Sequence, residues 1–246
     1  MSNLIPNRYI TLLCALFISL LCSGCAMQIQ QNALGESYVA FGKHQLLTNE
    51  QAKKLDRQQR VDRITADMQK VGFRHESVSP IFDSVSVSIL SIFRNQKNLL
   101  KKYQTIVDNH KDVMSFIVAN KDKSPAELKA EAARFDKLHI NSTEKISVKL
   151  KQYQQANIGI QAENARLAAE LLLQGAKLAI ILKDNLEEML KLEGIAMLIN
   201  AHKTNKGYEL AQARIHMSNV ANDFISEQKA VLDITKEIQK ILDTKL

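Results

Sequence analysis

The chain has 246 residues, with 33 Lys and Arg against 26 Asp and Glu, a formal net charge of +7. It holds only 8 Gly, 3 Pro and 3 Cys and lacks Trp, while Ala, Leu, Lys, Gln, Glu and Ile dominate. That composition excludes a collagenous or disulfide-framed chain and points to an all-α protein of long helices, close to the bias of coiled coils and bundles.

The front end is a processing signal in layout. Arg8 is the sole charged side chain before Glu36, and Tyr9 to Leu21 form an apolar run of 13 residues. As a helix this run reaches roughly 20 Å, short of the ~30 Å hydrocarbon core, so it fits the h-region of a secretory signal peptide. The small residues Ser23 and Gly24 follow, then Cys25.

Cys22-Ser23-Gly24-Cys25 resembles the lipobox of bacterial lipoproteins. Ser23, Gly24 and Cys25 match its pattern, and Cys22 stands where the class usually carries Leu. The resemblance implies removal of residues 1–24 and lipidation of Cys25, the palmitate-bearing first residue of the mature chain. It also implies a stable membrane anchor, because several acyl chains hold where one does not. Ala26 in place of Asp implies, by the class's sorting rule, the outer membrane, facing the periplasm. The lesser alternative is ordinary cleavage after Ala26, with Gly24 and Ala26 as the small pair. The other two cysteines, Cys14 and Cys22, lie in the leader, so either cut leaves no disulfide, as suits an oxidising compartment.

Residues 25–47 read as a lipidated tether, its far end packing through Val39, Phe41, Leu46 and Leu47. Residues 48–246 read as the helical-bundle domain. Thr48 and Gln51 predict a capped helix over 49–72, with Val61, Ile64, Met68 and Val71 on its buried face and Gly72 at its end. Ser79-Pro80 predicts the next start. From Phe82 to Ile117, through Gln96, Tyr103 and His110, a 3-4 alternation predicts one unbroken helix, Phe93, Leu100, Val107 and Met114 widening the stripe. "SVSVSIL" (84–90) has strand-like alternation, but the heptad phase favours helix.

Ser124-Pro125-Ala126-Glu127 is the strongest helix start in the chain. No stop signal follows until His202 to Gly207, with Gly159 marking a possible kink. Two apolar seams run through that helix. One holds Ile146, Leu150, Tyr153, Asn157, Ile160, Asn164, Leu167, Leu171, Gln174, Leu178, Ile181 and Asn185. The other holds Ala165, Ala168, Leu172, Gly175, Ala179, Leu182, Leu186 and Met189. Two seams imply neighbours on both sides, so residues 165–200 are expected to be the most buried helix. A last helix over 208–243 carries Met217, Val220, Phe224, Glu227, Val231, Ile234, Ile238 and Ile241. The expected architecture is an elongated antiparallel bundle, coiled-coil-like, with a short first helix and long ones after it.

No catalytic, cofactor or metal site is legible. The six histidines (44, 75, 110, 139, 202 and 216) form no H-E-x-x-H and no i, i+4 ligand pair. His110 reads as a core histidine, and His202 as a cation near a helix C-terminus. There is no nucleophile elbow, no phosphate-binding glycine loop and no reactive cysteine after Cys25. The basic residues are dispersed without aromatic interleaving, which argues against nucleic acid, and no small-molecule substrate is evident. Asn141-Ser-Thr143 is formally a glycosylation sequon, discounted in a bacterial lipoprotein. Asn157, Asn164, Gln174 and Asn185 read as polar seam residues that fix register or face a partner.

The expectation is therefore a non-enzymatic, lipid-anchored scaffold or protein-interaction module of the cell envelope. It would contact envelope proteins or copies of itself through helix seams. The alternative is a membrane-active, pore-forming or toxin-like bundle that inserts residues 171–199.

Overall fold

The computed structural model describes residues 29–31, 37–189 and 194–244. The leader, the lipobox and Cys25 lie outside the described residues, as do the side chains of Asn185, Leu186 and Met189. The fold is predominantly all-α, with one small sheet at its N-terminal end.

Three antiparallel strands open the fold: β1 (Ile29–Gln31), β2 (Ser37–Phe41) and β3 (His44–Leu47), in the order β1-β2-β3. Ile29 pairs with Val39 and Phe41 with His44. The expected tether is thus, from Ser37 onward, part of the folded body. Its far end packs as anticipated, with Val39, Leu46 and Leu47 buried. Gly42 makes the turn between β2 and β3 at φ +54°, and a Cβ there would also lie 2.1 Å from a Glu209 carboxylate oxygen. The positive φ favours glycine, whereas the Glu209 carboxylate ends a flexible side chain that can move aside.

The first expected helix is two. Helix α1 (Asn49–Lys54) begins at Thr48, whose hydroxyl accepts the Gln51 amide, and α2 (Arg57–Val71) begins at Asp56, whose carboxylate accepts the Gln59 amide. An aspartate cap satisfies orphan amides as well as threonine does, and restarts the helix after two residues. Val61, Ile64, Met68 and Val71 are buried as expected, and Gly72 ends α2.

Helix α3 (Pro80–Asn109) starts at the Ser79 cap and absorbs the strand-like stretch at 84–90. It does not continue to Ile117. At His110 the backbone leaves helical geometry (φ −125°, ψ 35°), and α4 (Lys111–Asn120) follows. The His110 ring returns through Nδ1 to the Ile106 carbonyl at 2.8 Å and meets the edge of Tyr153.

Helix α5 (Pro125–Lys137) carries the full capping box of Ser124 and Glu127. It stops well short of residue 203, since a loop and a 3-10 turn (Ser142–Glu144) precede α6 (Ile146–Met189). Gly159 causes no break. Helix α7 (Gly194–Glu227) runs through the expected stop at 202–207, and α8 (Lys229–Asp243) follows it. His202 therefore lies within a helix rather than in its last turn. Gly207 punctuates nothing. A Cβ on it would lie 2.5 Å from Val78 and 3.1 Å from Phe82, so it serves close packing.

The core is a three-helix bundle of α3, α6 and α7, extended by α8. Phe82, Val85 and Ile89 meet Leu178, Tyr208 and Ala211 at one end, and Val113, Ile117, Ile146, Leu150, Tyr153 and Ile238 cluster at the other. Helix α6 thus runs antiparallel to α3 and α7. The large central core joins Leu46, Leu47, Ile64 and Met68 to Phe93, Leu100, Leu167, Leu171, Met217 and Phe224. Each such side chain contributes about 1.5–3 kcal/mol by leaving water.

Among the described side chains the most buried helix is α7, not α6; of the span 165–200 expected to be so, the side chains from 185 on lie outside the described residues. Helix α7 is packed between α3 and α6 on one side and α2, β2 and β3 on the other. The first seam of α6 is buried at Ile146, Leu150, Tyr153, Asn157, Ile160, Asn164, Leu167, Leu171 and Leu178. The second is not: Ala165, Leu172 and Ala179 are exposed.

Candidate functional site

Two features stand out from a well-filled bundle. The first is the outer face of α6. Ile158, Ala162, Ala165, Ala169, Leu172 and Ala176 recur at strict 4-3 spacing, and all are exposed. Leu173 and Ile180 widen the stripe on one side. Exposure reaches 78% at Leu172, 55% at Leu173, 61% at Ile180 and 57% at Ile158. Single exposed leucines are ordinary, but a contiguous stripe on one helix is a docking feature.

Its charged flank is asymmetric. Glu163 and Glu170 both bind Arg166 in the N-terminal half, while Lys177 and Lys183 lie in the C-terminal half, exposed beside Asp184. The second seam expected from the sequence shares only Ala165 and Leu172 with this stripe, so the stripe itself was missed. The sequence carried no sign that the seam faces outward.

The second feature is a cavity of about 630 Å³ beside the sheet. The β2–β3 turn supplies Lys43, the stretch after α2 supplies Gly72 and Arg74, and α7 supplies Lys206, Glu209 and Arg214. Arg214 is only 1% exposed. Its Nη2 donates to the carbonyls of Gly72 (3.2 Å) and Arg74 (2.6 Å), and its Nε reaches Gly72 at 3.4 Å. Its Nη1 is buried without an acceptor. Burial pushes the guanidinium pKa down to about 10; Glu76 pulls the other way and Arg94 adds to the fall. Nothing in the sequence distinguished Arg214 from other helical arginines.

Nearby, His216 is the one histidine deeply inserted among the described residues. Its Nε2–H donates to the Leu47 carbonyl at 2.8 Å, and its ring lies 5.4 Å from that of Phe41. Burial holds its pKa below the usual histidine value, against the Leu47 hydrogen bond and the charges of Asp67 and Glu50. Asp67, also fully buried, accepts the Leu47 amide at 2.8 Å and binds Lys70. These two side chains seat β3 on α2 and α7.

The polar seam residues tie helices together. Gln96 of α3 binds Asn164 of α6, which donates in turn to the Asn222 carbonyl and the Ser226 hydroxyl of α7. Asn157 bonds within its own helix, to the Tyr153 carbonyl.

Among the described residues no three His, Cys, Asp or Glu side chains gather as a metal site, and no helix is long and apolar enough to cross a membrane. No family model, no curated protein and no solved structure matches the chain.

Proposed function

We propose that the protein is a lipid-anchored component of the cell envelope whose bundle works as a non-enzymatic interaction module, its partner a second copy of itself. The anchor is Cys25 in its lipobox-like setting, and the outer membrane facing the periplasm is its place. The observation that carries the pairing is the apolar stripe from Ile158 to Ile180 on the outside of α6.

Charge selects the partner and its direction. Glu163 and Lys183 lie equally far on either side of Leu173, and Glu170 and Lys177 do so within half a residue. Glu170 and Lys177 also share one flank of the stripe, so an antiparallel pair with its two-fold axis near Leu173 sets Glu170 of each copy near Lys177 of the other, while Glu163 faces α3. The stripe is about 33 Å long and 10 Å wide, roughly 330 Å² per copy, below the ~800 Å² per partner of stable interfaces. Confinement of both copies to one surface raises their effective concentration and offsets that shortfall.

Two experiments test the two halves of the proposal separately. Cys25→Ser in the full chain should release it from the membrane fraction, and unchanged fractionation refutes the anchor. In that background, with Cys14 and Cys22 also replaced by Ser, Leu173→Cys should form a symmetric disulfide dimer under mild oxidation. Glu170→Cys combined with Lys177→Cys should do the same, while Glu170→Cys alone should not. A chain that stays monomeric in all three, or crosslinks through Glu170→Cys alone, refutes the antiparallel pair. Leakage of liposomes caused by the purified chain favours the membrane-active alternative instead.

A further inference from the structure

Cations that look dispersed along the sequence gather on one face of the fold. From residue 84 to residue 107, helix α3 carries four cations (Arg94, Lys97, Lys101 and Lys102) and no acid. Three of them, at 94, 97 and 101, fall at 3-4 spacing on the side turned away from the core, while Phe93, Gln96 and Leu100 are buried on the other. Lys102 points to Glu163 of α6 across a shallow hollow and is offset by it.

This face continues past Phe73 toward the sheet. Arg94 Nη2 donates to the Phe73 carbonyl at 2.5 Å, and Lys97 Nζ stands 4.7 Å from the centre of the Phe73 ring. Arg74 follows in sequence and shares the rim of the Arg214 cavity with Lys43 of the β2–β3 turn. Lys43, Arg74, Arg94, Lys97 and Lys101 thus form one band, and none of the five enters an ion pair among the described residues. Of the acids that border the band, Glu209 stands beside Gly42 at the Lys43 end, and Glu76 is bound to Lys206 at 3.0 Å. A row of unpaired like charges repels itself, and an opposing anionic surface removes that repulsion.

The route of the chain says which surface that is. Ile29 pairs with Val39 and Phe41 with His44, so the start of β1 lies at the same end of the sheet as the Gly42-Lys43 turn. Cys25 stands four residues before Ile29, a span of at most about 14 Å. With the anchor proposed above, the body stays against the bilayer, and the band begins where the chain arrives. Nucleic acid is the poorer fit. Its bases ask for open rings to stack on, whereas the Phe73 ring is already taken by Lys97 and by Phe93, stacked at 4.9 Å.

We infer that this band is the face the protein sets against an anionic phospholipid bilayer, with Lys43, Arg74, Arg94, Lys97 and Lys101 among the headgroup phosphates. The inference deepens the proposed anchoring and rests on it for the choice of surface. The acyl group holds the chain, and the band decides which side of the bundle faces lipid.

The test uses residues 25–246 with Cys25→Ser, which keeps every described residue and has neither the apolar leader nor an acyl group to drive binding. Flotation is compared on vesicles of phosphatidylcholine alone and of phosphatidylcholine mixed with phosphatidylglycerol. Binding to the mixed vesicles, lost in high salt, is expected. Arg74→Gln, Lys97→Gln and Lys101→Gln should each weaken it about fivefold, and together on the order of a hundredfold. Lys101→Gln alone, at a wholly outward position, keeps the test readable if the triple variant unfolds. Lys145→Gln, Lys229→Gln and Lys240→Gln together remove the same net charge from exposed positions before α6 and on α8. They should weaken binding by no more than about twofold, since screening confines attraction to charges near the surface. Binding to both kinds of vesicle alike or to neither, equal losses in the two triple variants, or tighter binding to a single-stranded oligonucleotide than to mixed vesicles overturns the lipid face. None of these outcomes touches the anchor, which fails separately if Cys25→Ser leaves fractionation unchanged after a high-salt wash.

Discussion

Gln96 of α3 and Asn164 of α6 meet through their side-chain amides at 2.8 Å, both almost wholly buried in the bundle's centre. Around them the seam is apolar, with Ile92, Leu99, Ile160 and Leu167 a turn away. A slip of one helix past the other would bury both amides against hydrocarbon, so the pair fixes axial register.

Removal of one partner should therefore cost more than removal of both. Asn164→Leu alone strands the Gln96 amide and should lower unfolding free energy by about 1–3 kcal/mol. The double variant Gln96→Leu with Asn164→Leu should recover most of that loss in a urea titration. Additive losses in the double-mutant cycle would show that the two amides are not coupled.

The contact of Gly207 with Val78 makes a second prediction of this compensating type. Gly207→Ala gains up to about 1 kcal/mol in helix propensity, yet its methyl would sit 2.5 Å from Val78. Overpacking should win, with a net destabilisation of about 1–3 kcal/mol. Val78→Ala should relieve it, so that the double variant is more stable than Gly207→Ala alone. Thermal unfolding of the four proteins decides this.

His216 should make stability pH-dependent. Its pKa in the folded chain is lower than when unfolded, where it is near 6.5. The unfolded chain thus binds the proton more readily. The contribution is complete above pH ~6.5 and is lost as pH falls below it toward the lowered folded value. His216→Gln keeps a donor for the Leu47 carbonyl without titrating there. It should flatten the decline between pH 7 and pH 5, and a pH profile as steep as the parent's would refute His216 as its source.

Asp67 should be the most sensitive point of the sheet's attachment. It holds the Leu47 amide from a site with no solvent exposure. Asp67→Ala leaves that amide and Lys70 without their partner, a cost of about 2–4 kcal/mol. Amide exchange at Leu46 and Leu47 should accelerate more than exchange in α3 or α6. Uniform acceleration across the chain would mean that Asp67 supports the whole fold rather than the sheet alone.

Helix starts were the legible part of this fold. Thr48, Ser79-Pro80 and Ser124-Pro125-Glu127 each satisfy orphan amides locally, so local sequence suffices to reveal them. Helix breaks were far less so. His110 and Gln228 interrupt heptads whose phase continues past them, and Gly159 and Gly207 resemble breaks yet sit inside helices. The sheet was read as a tether because its polar, glutamine-bearing strands gain stability from Asp67 and His216, distant residues that no short window contains.

The candidate sites show the same division. The outward stripe of α6 was not legible: the second seam read from spacing holds only its Ala165 and Leu172, and spacing does not say which face of a helix lacks a neighbour. The buried setting of Arg214 depends on which carbonyls and carboxylates surround it in three dimensions.

β3 is seated through His216 beside the middle of α7, far from either tip of a bundle whose α6 alone is about 66 Å long. A rod leashed at its tip stands away from a surface; a rod leashed at its waist lies down on it. Were the chain anchored at Cys25 as proposed, this seat would turn length into footprint. The molecule would cover a long, narrow strip of lipid rather than span the space above it.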